Sequence, residues 1–457
     1  MRIIDCHVHH LHDTDIPWAR ELGYDKVCLM DYDLKALMKA ARAHPDFVIP
    51  LAYLPLQEGK KRIMDTVKRA RDAGCMGFKA CGASARYDDE SYMPVWAKAN
   101  EYRMPVFFHT GWLDMRLGAS TFCLTKRSLA DYYHPIALDR IAYENPDLPL
   151  VAFHMGGAWR AHCALLMHQY PNIYADSCFG ATRRQAHEFL WGQIGGAGTG
   201  YQVMAKMVYG TDGMGSRQAT ADRIRDWTDV LDALRVPVGV RERIWYKNAL
   251  HILGLDDELK KVVRVPRVKG KAVDLAKAAP AAAAGGYATV SDFTEHAIER
   301  LGEPGPVRTG ALLGYDDKAL RIVFWCEDPR SSDLVASADG PVDNIWQDDC
   351  VEVFLSPKRD GKYLHVVANA AARAGVHRGR TDIVEHPEIV AGSVTPTGWW
   401  VALTIPWKLI GASPKKGDTW GLQLCRSKQT HPRGAVTWMG VVTTFHDPAS
   451  FGKMVFE

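Results

Sequence analysis

The sequence has few features of a secreted, membrane-bound or nucleic-acid-binding protein. Its apolar runs fall short of the ~20 residues that a membrane-spanning helix requires. The first predicted strand begins almost at Met1, so no signal peptide is expected. The formal net charge is +3 over 457 residues, without a long basic run, so we expect neither nucleic acid nor an anionic membrane as a partner. These absences predict a soluble, cytoplasmic protein.

Paired cysteines are also lacking. The ten cysteines are scattered, no two have Cys-x-x-Cys spacing, and several lie inside apolar segments. They are Cys6, Cys28, Cys75, Cys81, Cys123, Cys163, Cys178, Cys326, Cys350 and Cys425. We expect them to be reduced and to pack as small hydrophobic residues, which suits the cytosol.

Eight short apolar segments alternate with segments of helical periodicity in the first half of the chain. Nearly continuous apolar runs predict parallel strands that are buried on both faces. The predicted strands are Ile3–His7, Val27–Asp31, Val48–Leu54, Met76–Ala80, Val106–His109, Leu150–His154, Ile173–Asp176 and Val208–Thr211. Eight strand–helix units predict a (β/α)8 TIM barrel, with a doubly wound open sheet as the alternative. The Gly-rich run 196–200 follows no strand and is predicted to be a loop.

The pattern changes after the predicted barrel. Residues 277–286 are rich in Ala, Pro and Gly and resemble a linker. Six runs with aromatic and β-branched residues then predict an antiparallel β-sandwich. These runs are Leu320–Cys326, Cys350–Leu355, Tyr363–Ala368, Trp399–Ile405, Thr419–Leu424 and Val436–Met439. We therefore predict an α/β barrel domain over residues 1–263 and a sandwich domain over residues 264–457.

Five polar residues stand at the ends of predicted strands one, five, six and eight. They are His7, His9, His109, His154 and Asp212. His7 and His9 are two residues apart on one strand, so their side chains point to the same face, here the barrel interior. Two neutral imidazoles in one cavity suit a divalent ion, zinc above all. Because the carboxyl ends of all barrel strands meet at one rim, we expect the five side chains to share a site.

The residue types predict a role for each member of this set. His7, His9, His109 and Asp212 are expected to bind the metal, and Asp212 would also accept a proton from a water molecule whose pKa the ion lowers to about 7. His154 is expected to be catalytic, by polarising the substrate, holding the water or acting as a general acid. A single strand-end histidine is more often structural, and an aspartate before glycine is usually a turn residue. The joint placement of five such residues favours the metal site.

Residues 1–255 resemble the amidohydrolase superfamily, and within it the amidohydrolase-related group that contains both hydrolases and non-oxidative decarboxylases. The resemblance rests on the Asp-x-His-x-His start, the His-x-Gly after strand five, the His-x-Gly-Gly after strand six and the Gly-Thr-Asp of strand eight. It implies one zinc ion bound by His7, His9, His109 and Asp212, with His154 as the catalytic residue. It does not specify the substrate.

Lys79 ends predicted strand four, where members of the superfamily with two metal ions carry a carboxylated lysine. With Lys79 modified in this way, His109 and His154 could together hold a second ion. The preferred interpretation is that Lys79 stays an ammonium group and binds a carboxylate of the substrate or a neighbouring acid, since the group resembled here usually binds one ion. The expected cofactor is one Zn2+, or two if Lys79 is carboxylated.

Residues 265–457 resemble the carbohydrate-binding module family 9-like sandwich. The runs that carry this resemblance are 346–355, 398–400, 405–407 and 451–456. It implies a carbohydrate partner, which would require exposed aromatic faces. Trp346, Trp400 and Trp407 fall where the family has core or hinge aromatics, so packing is the expected role of most tryptophans. Three acidic residues are candidates either for calcium binding or for a solvated strand edge: Asp348, Asp349 and Glu352.

These observations predict a metal-dependent hydrolase that cleaves an ester, lactone or amide bond of a small molecule through a metal-activated water. By association, the second domain favours a sugar-derived substrate such as a sugar lactone. One alternative is a metal-dependent decarboxylase in which His154 or Asp212 supplies a proton. Another is a non-catalytic barrel that serves as a scaffold for a glycan-binding sandwich, although inward-facing polar groups are costly to keep without a chemical role. The substrate and the oligomeric state, a homo-oligomer included, stay open.

Overall fold

The computed structural model describes residues 1–111, 129–178, 197–269, 286–337, 339, 341–379, 383–440 and 444–457. The chain forms two compact units, Met1–Asp257 and Glu258–Glu457. Cys123 and nearly all of the expected linker at residues 277–286 lie outside the described residues. Within the ranges described, no helix is both long enough and apolar enough to cross a membrane.

The first unit is the predicted parallel barrel. Its eight strands follow one another in chain order around the sheet: β1 (Ile3–Val8), β2 (Tyr24–Asp31), β3 (Val48–Pro55), β4 (Gly77–Cys81), β5 (Val106–His109), β6 (Leu150–Phe153), β7 (Ile173–Asp176) and β8 (Met207–Val208). The chain after β8 returns to β1, where the Cys6 N–H donates to the Tyr209 carbonyl at 2.9 Å. Strand β8 is shorter than the predicted Val208–Thr211, because Thr211 bonds to the side chain of Asp5 instead of continuing the ladder.

Helices separate the barrel strands as expected. They are α1 (Asp15–Glu21), α2 (Leu34–Ala43), α3 (Lys60–Ala73), α4 (Met93–Glu101), α5 (Ala137–Glu144), α6 (Arg160–Gln169), α7 (Ala197–Met204), α8 (Arg217–Ala233), α9 (Val238–Glu242) and α10 (Asn248–Ile252). A loop was predicted at residues 196–200. This prediction is wrong for residues 197–200, the described part of that run, because they form the beginning of α7. Glycine disfavours helix, but Tyr201, Val203 and Met204 are buried, and their packing outweighs that preference.

The second unit consists mostly of antiparallel strands in two sheets, as predicted. Its strands are β9 (Val262–Val265), β10 (Ala288–Val290), β11 (Thr294–Glu295), β12 (Thr309–Tyr315), β13 (Ala319–Glu327), β14 (Cys350–Ser356), β15 (Leu364–Asn369), β16 (Ala374–Arg378), β17 (Val384–Glu385), β18 (Val390–Thr395), β19 (Gly398–Pro406), β20 (Thr419–Lys428), β21 (Gly434–Thr437) and β22 (Gly452–Phe456). A five-stranded sheet has the order β10-β12-β13-β19-β18. A nine-stranded sheet has the order β11-β21-β20-β14-β15-β16-β17, with β22 on β20 and β9 parallel to β22. The pairing with β22 places all of β9 in the second unit. The domain boundary expected after residue 263 therefore falls inside strand β9.

The inner faces of the two sheets form one apolar core. Alternate residues of each strand contribute to it, such as Phe324 from β13 and Val353 from β14. Trp407 is buried in this core together with other tryptophans, which agrees with their expected packing role. Trp346 differs, because it is 53 % exposed.

The three acidic residues considered for calcium are buried and have protein partners. Asp348 accepts hydrogen bonds from backbone and side-chain groups, and Asp349 accepts the backbone N–H groups of Val335 and Gln429. Glu352 lies 2.8 Å from the Nε2 of His365. Among the described residues these acids belong to no group of converging metal ligands. Their contacts stabilise loops and the outer face of the nine-stranded sheet.

Candidate metal centre

Strand β1 places His7 and His9 at the carboxyl rim of the barrel. His7 is buried, and its Nδ1 lies 2.7 Å from a carboxylate oxygen of Asp176. His9 follows the strand, and its Nδ1 lies 2.9 Å from the hydroxyl of Tyr53 on β3. These contacts leave the Nε2 atoms of the two rings 3.1 Å apart. The pair thus points into one site, as its spacing predicted.

Asp212 brings a carboxylate to the same point. Its Oδ1 lies 3.1 Å from the Nε2 of His7 and 3.1 Å from the Nε2 of His9. The residue has a φ of 58°, a conformation that costs a residue with a side chain roughly 1–3 kcal/mol and is common at functional sites. Burial would raise the pKa of Asp212, but the hydrogen bonds with His7 and His9 outweigh it and hold that pKa well below its ordinary value. The carboxylate is therefore ionised.

This group of three donors fits a divalent metal ion. The ligand atoms of His7, His9 and Asp212 lie within 4.8 Å of one another. Burial lowers the pKa of both histidines, so both rings are neutral, as metal ligands must be. A partner on the second ring nitrogen, here Asp176 for His7 and Tyr53 for His9, is the usual way in which proteins orient such ligands. Two imidazoles and a carboxylate are a known donor set for catalytic zinc.

Asp176 supports two site histidines at once, a role that the sequence analysis did not assign. It ends β7, and its second carboxylate oxygen accepts the backbone N–H of His154 at 2.7 Å. Burial raises the pKa of Asp176, while the bond from His154 opposes that rise. The signal was present in the sequence, because an acid at the end of a buried strand requires a partner.

Asp5 anchors the segment that leads to Asp212, and this role was also missed. It accepts the backbone N–H of Thr211 at 3.2 Å and the Thr211 hydroxyl at 2.7 Å. It also accepts the backbone N–H of His7 at 3.0 Å. Burial raises the pKa of Asp5 to about 7. The first residue of the Asp-x-His-x-His motif therefore holds the two ends of the barrel sheet together.

His154 lies beside the group of three. Its Nδ1 lies 2.8 Å from the carbonyl oxygen of Cys178, so Nδ1 carries the proton and Nε2 is the proton acceptor. Burial, assisted by the charge of Lys79, lowers the pKa of His154 to about 4. The described residues form a second group of converging donors, which consists of His7, His154 and Cys178.

His109 ends β5, with its ring centroid 4.6 Å from that of His154. It belongs to neither group of converging donors in the described part of the chain. Its assignment as a metal ligand therefore stays a prediction.

Lys79 points into the barrel from β4 and is only 1 % exposed. Its Nζ lies 3.9 Å from the ring centroid of Phe153, which stacks on His7 at 3.7 Å. Nζ has no hydrogen-bond partner within the described ranges. Burial lowers the pKa of Lys79 to about 8. A cation without a hydrogen bond thus lies close to the group of three donors.

Two family models match the chain. Residues 25–255 match the model described as amidohydrolase, and residues 300–457 match the model described as carbohydrate family 9 binding domain-like. Each match lies within one of the two compact units. No curated protein matches the chain.

Solved structures resemble each unit. An uncharacterised TIM-barrel protein from Bordetella bronchiseptica is 16 % identical, over 56 % of this chain and 99 % of its own, with a TM-score of 0.43. The 2,6-dihydroxybenzoate decarboxylase from Rhizobium is 14 % identical, over 56 % of this chain and 100 % of its own, with a TM-score of 0.41. A carbohydrate binding module of family 9 from Caldicellulosiruptor kristjanssonii, solved with cellotriose, is 17 % identical over 43 % of this chain and 94 % of its own, with a TM-score of 0.31. At these identities the likeness concerns the fold alone.

Proposed function

Since the chain belongs to the amidohydrolase family, we propose that its barrel is a metal-dependent hydrolase. The bond that it cleaves is an ester, a lactone or an amide, and the substrate carries an anionic group. The ion is zinc, held by His7, His9 and Asp212, with His109 as the fourth ligand and one ion per chain.

The convergence of three donors at the barrel rim carries this proposal. The Nε2 atoms of His7 and His9 and the Oδ1 of Asp212 lie 3.1 Å from one another. The Nδ1 atom of each ring has a hydrogen-bond partner that orients the ring. An ion bound by such donors lowers the pKa of a water molecule to about 7 and polarises a carbonyl oxygen. Both effects accelerate hydrolysis of a carbonyl compound.

The protonation states of His154 and Asp212 favour hydrolysis over decarboxylation. With a pKa of about 4, His154 is neutral at pH 7, and Asp212 is ionised. Both groups are therefore deprotonated, and the Nε2 of neutral His154 is free to take a proton from the attacking water. His154 can then deliver that proton from Nε2 to the leaving oxygen or nitrogen. Decarboxylation would instead require a protonated group that adds a proton to carbon.

Lys79 supports an anionic substrate. A pKa of about 8 leaves its ammonium group mostly protonated at pH 7, and a buried charge that has no hydrogen-bond partner within the described residues is costly. A carboxylate or phosphate on the substrate would supply the missing partner. The neighbouring ring of Phe153 stabilises the cation only in part.

Metal analysis and product analysis test the proposal. Elemental analysis of the full chain, purified without chelator, is expected to give one zinc or similar ion per chain. Two ions would support a carboxylated Lys79, and no ion even after reconstitution would refute the metal centre. Lactones and esters with and without an anionic group are then assayed for acid release by pH-stat, and the corresponding amides are assayed for release of the amine. Release of carbon dioxide from carboxylic acids, without hydrolysis of any of these compounds, would show a decarboxylase.

The substrate contact of Lys79 has its own test. Lys79→Met is expected to raise the KM of anionic substrates by at least tenfold and to leave the KM of their neutral analogues unchanged. An equal rise for both substrate types would contradict this role.

We also propose that the second unit binds carbohydrate. Sugar binding requires an aromatic face that solvent can reach, and Trp346 is 53 % exposed whereas Trp407 is buried. Calorimetry of the full chain with a panel of mono- and oligosaccharides is expected to show heat that Trp346→Ala abolishes, with Val335→Ala, an exposed aliphatic residue, as the control. Absence of heat with every sugar would overturn this proposal.

A further inference from the structure

Asp212 lies in the connection between β8 and α8, residues 209–216. Asp212 has a φ of 58°, and the next residue, Gly213, has a φ of 117°. A residue with a side chain keeps a positive φ only where its surroundings fix it. The Oδ1 of Asp212 lies 3.1 Å from the Nε2 atoms of His7 and His9. The contacts that fix this backbone therefore also place a candidate metal ligand.

The first barrel strand holds the N–H groups on either side of Asp212. The side chain of Asp5 accepts the backbone N–H of Thr211 at 3.2 Å. The carbonyl oxygen of His7 accepts the backbone N–H of Gly213, also at 3.2 Å. These bonds fix the connection from the side of the barrel and leave the carbonyl groups of Thr211 and Gly213 to other donors.

Arg223 on α8 donates to both of those carbonyls. Its Nη1 lies 2.9 Å from the carbonyl oxygen of Thr211 and 2.6 Å from that of Gly213. One nitrogen thus bridges the two residues that flank Asp212. Because the donor is cationic, it stabilises the two carbonyl dipoles more strongly than a neutral donor would. The backbone around Asp212 is therefore bonded from two sides, by β1 and by α8.

The same face of α8 carries a second donor to the connection. Thr220 lies three residues before Arg223 and hence on the same face of the helix. Its hydroxyl donates to the carbonyl oxygen of Met214. This face of α8 is thus directed at the connection that carries Asp212.

The other two arginines of α8 have partners of a different kind. Arg217 lies 2.8 Å from a carboxylate oxygen of Glu21, and Arg225 lies 2.7 Å from one of Asp222. Within the described ranges no carboxylate forms an ion pair with Arg223. Its printed partners are the two carbonyl oxygens beside Asp212. Arg223 therefore contacts the metal centre's supporting backbone, whereas its neighbours form surface ion pairs.

We propose that Arg223 is a positioning residue of the metal centre, which holds residues 211–213 so that the carboxylate of Asp212 reaches the ion. The inference rests on the proposed function, because it concerns the same ion. Bonds that restrict the backbone before an ion binds reduce the freedom that is lost on binding. Loss of Arg223 leaves the ligand itself intact but frees its backbone, which should weaken zinc binding by about 10–100-fold.

Hydrogen exchange and zinc titration of the full chain test the inference. In the metal-free chain, Arg223→Met is expected to speed amide exchange at least tenfold in peptides that cover residues 208–216, as measured by mass spectrometry. The same variant is expected to bind zinc at least tenfold more weakly. Arg225→Met removes an equal charge from the same helix and is the matched control. It is expected to keep the wild-type values of both quantities.

A double-mutant cycle shows whether Arg223 acts through Asp212. In the Asp212→Ala background, Arg223→Met is expected to cause no further loss of zinc affinity, because the ligand that it positions is absent. A general structural effect of Arg223 would instead weaken zinc binding by the same factor in both backgrounds, and this result would overturn the inference.

The remaining outcomes separate this inference from the proposed function. Unchanged exchange in Arg223→Met would show that its bonds do not hold the connection. Faster exchange with unchanged zinc affinity would show that they do not position Asp212. Either result overturns the role of Arg223 and leaves the hydrolase proposal intact. Failure of the wild-type chain to bind zinc overturns the proposed function and, with it, this role.

Discussion

Replacement of the buried Lys79 by methionine should stabilise the protein while it damages the site. Methionine has a similar length and shape, and it removes a charge that has no hydrogen-bond partner in the described part of the chain. A pKa lowered from 10.5 to about 8 corresponds to about 3 kcal/mol that the charged form costs the folded state at pH 7. For a domain of the size of the barrel, this gain raises the melting temperature by about 6–12 °C.

The gain should depend on pH in a defined direction. The unfolded chain binds the Lys79 proton more tightly than the folded chain, so the penalty is complete below pH 8 and disappears as the pH rises towards 10.5. The wild type should therefore gain stability over this window, and its difference from Lys79→Met should shrink. Calorimetry of the metal-free full chain at a series of pH values measures both curves.

A second lysine, Lys206, which is partly buried, provides the control. Burial also lowers the pKa of Lys206, to about 7, but its Nζ donates to the carbonyl oxygens of Met167, at 2.7 Å, and of Tyr170. Lys206→Met leaves two carbonyls without their donor, which offsets the gain from removing the charge. A melting temperature of Lys79→Met at pH 7 equal to or below that of the wild type would refute the reasoning, because it would mean that Lys79 is paired or carboxylated in the protein.

Three further changes probe the site and the sandwich. Asp176→Asn should weaken zinc binding by about 10–100-fold, since it alters the partner that orients a metal-binding ring; competition with a chelating dye measures this, and unchanged affinity would exclude that role. His154→Gln should retain its metal content but lower kcat by about 10²–10⁴, and loss of the ion would instead make His154 a ligand. In the second unit, Gly398→Ala places a Cβ 2.1 Å from the carbonyl oxygen of Cys326 and should cost about 1–3 kcal/mol in urea unfolding. Gly440→Ala, where the added Cβ has room, should leave the free energy of unfolding unchanged. Equal losses of stability for the two substitutions would contradict the predicted clash at Gly398.

The barrel, and the position of the candidate site residues at strand ends, could be predicted because both depend on local patterns. Buried parallel strands are nearly continuous apolar runs whatever their neighbours are, and residues two apart on a strand share a face. His7 and His9 therefore had to point the same way once β1 was recognised. The loop expected at residues 196–200 was wrong because glycine content is a local signal, whereas α7 is stabilised by burial against the rest of the barrel.

The supporting contacts depend on residues that are distant in the sequence. Asp176 is 169 positions from His7, and Thr211 is 206 positions from Asp5. No periodicity in a single chain shows which acid will face which ring, because that choice follows from strand register and side-chain direction in the closed sheet. The lack of a hydrogen-bond partner for Lys79 within the described residues is likewise a property of the whole interior.

The sequence by itself determined the barrel, the sandwich and the rim positions of the five polar residues, since the periodicity and the ends of strands depend on residues that are close together in the chain. The tertiary structure alone decided which of those residues converge and how they are charged, because distances, burial and hydrogen bonds arise only when remote strands close around one another.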